Sequence, residues 1–218
     1  MERPSKLALI SAFAALYLVW GSTYLFIRFA IGTLPPFLMA GSRFLCAGLL
    51  IYFFSRLRGT ERPHPGTWRD AAIIGGCLLL CGNGGVTIAE TFIDSGLAAV
   101  VVATVPIYIA LLAWLSGSAP RPSLPVALGL AGGMIGVGLL LAPSLQFGRS
   151  SSHRSAIGMA ILLGASFLWS VGTLYSRRAR IAKSTLLAAG QQMICGGILL
   201  LLTSLIMREK FQTSQLTP

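Results

Sequence analysis

The chain alternates long apolar runs with short polar connections. Each of the seven runs is 19 to 21 residues long, which at about 1.5 Å per residue in a helix spans a hydrocarbon core of roughly 30 Å. Backbone groups in lipid must be satisfied within the segment, so every run is expected to be helical. The sequence therefore predicts an all-α, polytopic membrane protein with seven transmembrane helices over 7–27, 36–54, 71–89, 95–115, 124–142, 156–176 and 186–206.

Composition supports this class and argues against others. The 218 residues are 55% hydrophobic and 11% charged, whereas soluble chains carry about 25% charged residues. The net charge of +11 comes from short basic clusters between apolar runs, so the predicted partner is the lipid bilayer and not nucleic acid. The four cysteines lie inside apolar runs without His, Asp or Glu nearby, which favours small buried apolar residues over metal ligands. No metal and no cofactor is predicted.

Lysines and arginines are distributed unevenly between the two sets of connections. With the N-terminus inside, the cytoplasmic segments hold eleven of them and the outer segments hold five. Basic residues accumulate on the cytoplasmic side of membrane proteins. The sequence therefore predicts a cytoplasmic N-terminus.

Part of the chain is an internal sequence repeat. With a shift of 149 positions, residues 18–51 lie over 167–200, and ten of the 34 positions are identical. Five spans separate the copies, so the second copy is predicted to be inverted in the membrane. The identical pairs that carry most weight are Trp20/Trp169, Arg28/Arg177, Gly41/Gly190, Cys46/Cys195 and Gly48/Gly197.

The repeat divides the chain into unequal parts. Residues 1–142 form one complete five-helix repeat, 143–155 a linker loop, and 156–218 the first two helices of a second repeat with a short polar tail. The counterpart of residue 142 would be residue 291, so a full second copy would add three helices. A truncated gene, a fragment and a natural short form are all left open.

Polar residues within the spans are the candidates for a solute site. Trp20, Thr23 and Tyr24 lie on neighbouring turns of span one. Arg43 lies in span two, about 10 Å below the outer surface, where a charged side chain is expected to face the protein interior with a partner. Glu90 at the outer end of span three is the predicted partner, either as a structural ion pair or with a role in solute or proton binding.

Several neutral positions complete the predicted site. Asn83 lies among glycines that allow close helix approach or a loosened helix, and Pro106 predicts a break in span four. Trp169 and Gln192 are the repeat counterparts of Trp20 and Arg43. The Gly-x3-Gly pairs of span five predict tight packing within one molecule. Arg28 is interpreted as an interfacial residue at the outer surface.

Three segments together resemble a known family. They are similar to EamA-type permeases of the drug/metabolite transporter superfamily. The segments are LVWGSTYLFIRFAIGTLPPFLMAGSRFLCAGLL, GNGGVTIAETFIDSGLAAVVVATVPIYIALL and GLAGGMIGVGLLLAP. The resemblance implies ten helices in two inverted repeats that move small organic solutes across the bacterial inner membrane by alternating access. It also implies a central cavity, whose positions here would include Trp20, Thr23, Tyr24, Arg43, Asn83, Pro106 and Trp169. This chain departs from the family by lacking the last three helices, so transport by this polypeptide alone is expected to be compromised.

Other functions fit the sequence less well. Span seven has no lysine for a retinal Schiff base, and span one has no carboxylate as a small four-helix exporter requires. No nucleotide-binding loop, catalytic triad or metal cluster is recognised, so the chain is not predicted to be an enzyme. The alternative is a non-transporting truncated membrane protein that is inactive, self-associates or pairs with a complementing chain.

Overall fold

The structure, a computed structural model, describes residues 5–60, 62–141 and 151–210, and all regular structure in these ranges is helical. Within the described ranges, nine α-helices and one π-helical segment follow in chain order. They are α1 (Lys6–Ile31), α2 (Pro36–Leu57), α3 (Pro65–Gly75), the π segment (Gly76–Asn83), α4 (Gly84–Ala89), α5 (Ser95–Val102), α6 (Val105–Leu115), α7 (Leu124–Leu141), α8 (Ser151–Ser176) and α9 (Thr185–Ile206).

These helices confirm the predicted fold class. Six described segments are long and apolar enough to cross a membrane, with α3, the π segment and α4 forming one of them and α5 and α6 another. The apolar helix α7 supplies a seventh, shorter candidate. Helix α8 begins at Ser151, inside the predicted linker 143–155, and residues 143–150 of that linker lie outside the described residues.

Helices α2 and α9 cross at the centre of the bundle through glycines. A Cβ atom added at Gly48 would lie 2.7 Å from the Ile194 backbone nitrogen, and one added at Gly197 would lie 2.6 Å from the Leu45 nitrogen. A shift of 149 residues converts the first contact into the second. Contact positions rise along α2 while they fall along α9, so the helices are antiparallel. The two repeat copies are therefore related here by a pseudo-two-fold axis, which is the geometry of an inverted repeat.

The fourth span is broken at the predicted position. Helix α5 ends at Val102 and α6 begins at Val105, because Pro106 lacks the backbone N–H that would continue the helix. Thr104 Oγ1 donates to the Val101 carbonyl at 2.7 Å, and Ser170 Oγ of α8 lies 3.2 Å from the Val105 carbonyl. The break is thus supported by hydroxyl groups on both sides.

Two sequence expectations about packing are wrong within the described part of the chain. The glycines of α7 have no atom within 4 Å of an added Cβ, so no described helix packs against that face. The cysteines are not fully buried either: Cys46 is exposed and the other three are half-buried. Apolar composition places these residues in the membrane but does not determine which neighbour covers them.

Candidate functional site

A cavity of about 490 Å³ lies between α1, α2, the π segment and α8. This volume falls within the range of small-molecule sites. Its walls are mainly apolar and aromatic, with three polar groups. The lining residues are Leu16, Val19, Trp20, Thr23, Arg43, Phe44, Asn83 and Trp169.

Helix α1 contributes half of this lining from one face. Leu16, Val19, Trp20 and Thr23 are spaced i, i+3, i+4 and i+7, which places them along a single stripe of an α-helix. Thr23 Oγ1 donates to the Val19 carbonyl at 2.9 Å, so its hydrogen is used within the helix and its oxygen can accept from a solute.

The π segment and α8 contribute further lining residues. Trp169 packs directly on Gly82, where an added Cβ would lie 2.7 Å from Trp169 Cε3. Only a glycine allows the indole to lie this close to the backbone. Asn83 follows in the wider π-helical turn, and its amide donates to the Leu78 carbonyl at 3.3 Å. The glycine-rich sequence thus positions both the indole and the amide.

Arg43 is the only charged residue among the described residues that line the cavity. Its guanidinium lies 4.7 Å from the centroid of the neighbouring Phe44 ring. A cation–π contact of this kind contributes about 0.5 to 2 kcal/mol and leaves the charge without a counter-ion. No carboxylate of the described residues forms an ion pair with it.

The predicted Arg43–Glu90 pair is wrong. Glu90 is fully buried, and neither of its carboxyl oxygens has a hydrogen-bond partner among the described residues. Its backbone carbonyl accepts a hydrogen bond from Arg28 Nη1. Because α4 ends at Ala89, this carbonyl is one of the helix-end acceptors that the helix itself leaves unsatisfied. Arg28, interpreted from sequence as an interfacial residue, therefore binds a helix end in the bundle.

The structure brings together five of the nine predicted site residues. Trp20, Thr23, Arg43, Asn83 and Trp169 line the cavity, and Tyr24, Glu90, Pro106 and Gln192 are not among its lining residues.

Each residue outside the cavity has another environment. Tyr24 packs against the apolar cluster that contains Ile27, and Pro106 lies in the first turn of α6. The backbone of Gln192 on α9 lies against Gly75. A Cβ atom added at Gly75 would lie 2.6 Å from the backbone carbonyl oxygen of Gln192. Sequence reasoning missed Leu16, Val19 and Phe44 as lining residues. The helical spacing from Trp20 could have identified the first two.

Apolar spans arranged around a partly polar cavity define a multi-pass membrane protein with room for a small solute. The chain belongs to the EamA-like transporter family, whose sequence profile matches residues 6–142. The resemblance recognised from the sequence motifs is therefore confirmed.

Individual relatives extend the match beyond this region. The protein named uncharacterized inner membrane transporter YedA of Escherichia coli K12 is 39% identical over 207 residues, covering 94% of this chain and 64% of the relative. The uncharacterized transporter YvbV of Bacillus subtilis strain 168 is 27% identical over 213 residues, covering 98% of this chain and 67% of the relative. No solved structure matches the chain significantly.

These comparisons also bear on location and length. Together with the six apolar spans, the family and its relatives confirm a multi-pass protein of the bacterial inner membrane. The chain spans 64% of the length of YedA.

Proposed function

We propose that the chain belongs to a secondary transporter that moves small organic solutes across the inner membrane by alternating access, with the cavity as its solute site. The observation that carries this proposal is that Trp20 and Trp169 both line one cavity. These residues are 149 positions apart and come from the two copies of the repeat. A solute between them would contact both copies.

The relation between α2 and α9 supports a mechanism of alternating access. Equivalent contacts, Gly48 with Ile194 and Gly197 with Leu45, lie on either side of a pseudo-two-fold axis. Inverted repeats can exchange conformations, so that a shared site opens to one side of the membrane and then to the other. The break in span four between α5 and α6 lies beside α8, where Ser170 contacts Val105, and is the proposed hinge.

Comparative metabolite release tests the proposal. Escherichia coli cells expressing the chain would be compared with empty-vector cells by mass spectrometry of small solutes in the medium and cytoplasm. We expect a chain-dependent change in at least one solute, and we expect Arg43→Ala and Trp20→Ala to abolish it. Arg178→Ala and Trp114→Ala lie outside the cavity and serve as matched controls. Transport unchanged by both cavity variants would show that the cavity is not the solute site.

A second candidate function is a membrane protein that does not transport by itself and is inactive, self-associates or pairs with a complementing chain. Two observations favour it. Much of α1 is exposed, with Ile27 its only buried residue, and the α7 glycines have no described neighbour. Mass measurement of the detergent-solubilised chain, alone and co-expressed with the C-terminal part of YedA, tests this candidate. A monodisperse monomer that changes solute distribution would rule it out.

We also propose that the N-terminus is cytoplasmic, because this orientation places most basic residues inside. The orientation can be mapped with single cysteines in a variant lacking the four native ones. Ser118→Cys, between α6 and α7, should resist a membrane-impermeant maleimide in intact cells, and Thr33→Cys, between α1 and α2, should react. The opposite labelling pattern would reverse the assigned topology.

A further inference from the structure

The charges of the described residues around the cavity have one sign. Arg43 is a cation in its wall, and none of the acidic residues in the described ranges lines it. Asp70 is bonded to Tyr175 and to the Arg180 backbone, and Glu209 to the first turn of α2. The remaining two described acids are Glu90, which is buried beyond the cavity, and Asp94, which is exposed before α5.

Arg43 has no counter-ion among the described residues, at a depth where one is expected. It lies seven residues into α2, about 10 Å from the membrane surface. Arginines at such depth usually pair with an acid, with backbone carbonyls or with water in a cavity. Its guanidinium contacts the Phe44 ring, which is uncharged. The guanidinium therefore keeps donors for an anionic group that enters the cavity.

The rest of the lining selects for an apolar or aromatic body. Trp20 and Trp169 present indoles from α1 and α8, and Phe44 adds a third ring. Flat aromatic walls favour a flat or apolar solute through area burial and ring packing. Thr23 and Asn83 are neutral and tolerate additional polar groups on the solute. An organic cation could interact with the rings but would be repelled by Arg43.

We infer that the cavity binds small organic anions with an aromatic or apolar body, the anionic group on Arg43 and the body between Trp20 and Trp169. This inference rests on the proposed function for its physiological meaning, but it concerns binding and can be measured without transport.

A matched series of three probes tests it. Benzoate, benzamide and benzylammonium share one ring and carry charges of −1, 0 and +1 at neutral pH. Binding to the full chain in detergent would be followed by tryptophan fluorescence in a Trp68→Phe/Trp114→Phe background. The replaced residues lie elsewhere, beside Tyr52 and Arg121, so the signal then comes from the cavity indoles.

We expect benzoate to bind at least about tenfold more tightly than benzamide, since one charge-assisted contact corresponds to a factor of this size. Benzylammonium should bind more weakly than benzamide. Arg43→Gln should make benzoate and benzamide equal without changing benzamide affinity, and Arg43→Lys should retain part of the preference. Arg178→Gln, outside the cavity, should change nothing.

Three outcomes would overturn the inference: equal or tighter binding of benzylammonium, a benzoate preference that persists in Arg43→Gln, or no saturable quenching by any probe. Circular dichroism of each variant separates lost binding from lost folding. If benzoate selectivity is present but no solute distribution changes in cells, the proposed transport fails while this inference stands. If instead a neutral solute or a cation is transported independently of Arg43, the proposed transport stands and this inference fails.

Discussion

Gly48 of α2 lies against the backbone of Ile194 of α9, so closely that a single added carbon would lie 2.7 Å from the Ile194 nitrogen. The related contact between Gly197 and Leu45 repeats this approach on the other side of the pseudo-two-fold axis. Close backbone approach through small residues is how helices associate in a membrane, where the hydrophobic effect does not drive them together. The two contacts therefore join the two copies of the repeat.

Substitution of these glycines should destabilise the central helix pair. We expect Gly48→Ala and Gly197→Ala each to lower the stability by about 1 to 3 kcal/mol, because the added methyl meets backbone atoms that cannot rotate away. Thermal unfolding in detergent, followed by circular dichroism, measures the change. Gly132→Ala on the open face of α7 is the control, and it should leave the Tm unchanged or raise it, since alanine favours helix. Equal effects at Gly48 and Gly132 would contradict the close packing.

Glu209 caps the N-terminus of α2 from the far end of α9. Its carboxylate accepts from the backbone nitrogens of Phe37 and Leu38 at 3.1 and 2.9 Å, and Ser204 Oγ donates to it at 2.8 Å. Pro35 at the helix start has no side-chain acceptor, so this distant carboxylate supplies the cap.

Removal of this cap is expected to lower the free energy of unfolding by about 1 to 2 kcal/mol, the usual magnitude for an N-cap. Glu209→Ala should therefore lower the Tm, and Glu209→Gln, which keeps one acceptor oxygen, should lower it less. The neighbouring exposed Lys210→Ala is the control and should have no effect. A Tm of Glu209→Ala equal to that of the unmodified chain would show that water caps α2 equally well.

Asp70 of α3 is hydrogen-bonded to the end of α8 and to the connection between α8 and α9. Its carboxylate accepts from the Tyr175 hydroxyl at 2.9 Å and from the Arg180 backbone nitrogen at 2.7 Å. We expect Tyr175→Phe to lower the free energy of unfolding by about 1 kcal/mol, the value of one hydrogen bond, and so to lower the Tm. Asp70→Ala should lower the Tm further, because both acceptor oxygens are lost. Arg69 Nε lies 3.5 Å from the same carboxylate, but its side chain is 79% exposed, so Arg69→Gln is expected to lower the Tm less than either substitution. If Tyr175→Phe and Asp70→Ala have equal Tm values, the contact to Arg180 contributes nothing.

Substitution of Glu90 is expected to increase the stability, in contrast to the substitutions above. Its carboxyl oxygens are buried and have no hydrogen-bond partner among the described residues, which is unfavourable for the folded state. We therefore expect Glu90→Met, which keeps the volume and removes the polar atoms, to raise the stability by about 1 to 3 kcal/mol. Asp94→Asn, at an exposed site nearby, should leave the Tm within error. A lower Tm for Glu90→Met would show that the carboxyl group has a stabilising partner, with Arg28 the first to examine.

Much of the architecture could be predicted from residue order. The span positions follow from the lengths of apolar runs, because only a helix of about 20 residues satisfies its backbone across lipid. The break at Pro106 follows from one missing N–H. The antiparallel relation of α2 and α9 follows from the 149-residue repeat, because its two copies are offset by five spans and an odd offset reverses the direction of a helix. Along one helix, the positions of Leu16, Val19, Trp20 and Thr23 on a common face follow from its period.

What only the tertiary structure decided is how helices distant in the chain are rotated and paired. Arg43 and Glu90 lie at similar depths by sequence, yet Arg28 reaches Glu90 and Arg43 faces the cavity. Depth depends on rise per residue, which is local, whereas pairing depends on helix rotation, which is set by contacts such as Gly82 with Trp169. The cap of α2 by Glu209 joins residues 172 positions apart. Sequence spacing determines faces and depths within one helix, and packing between helices determines which faces meet.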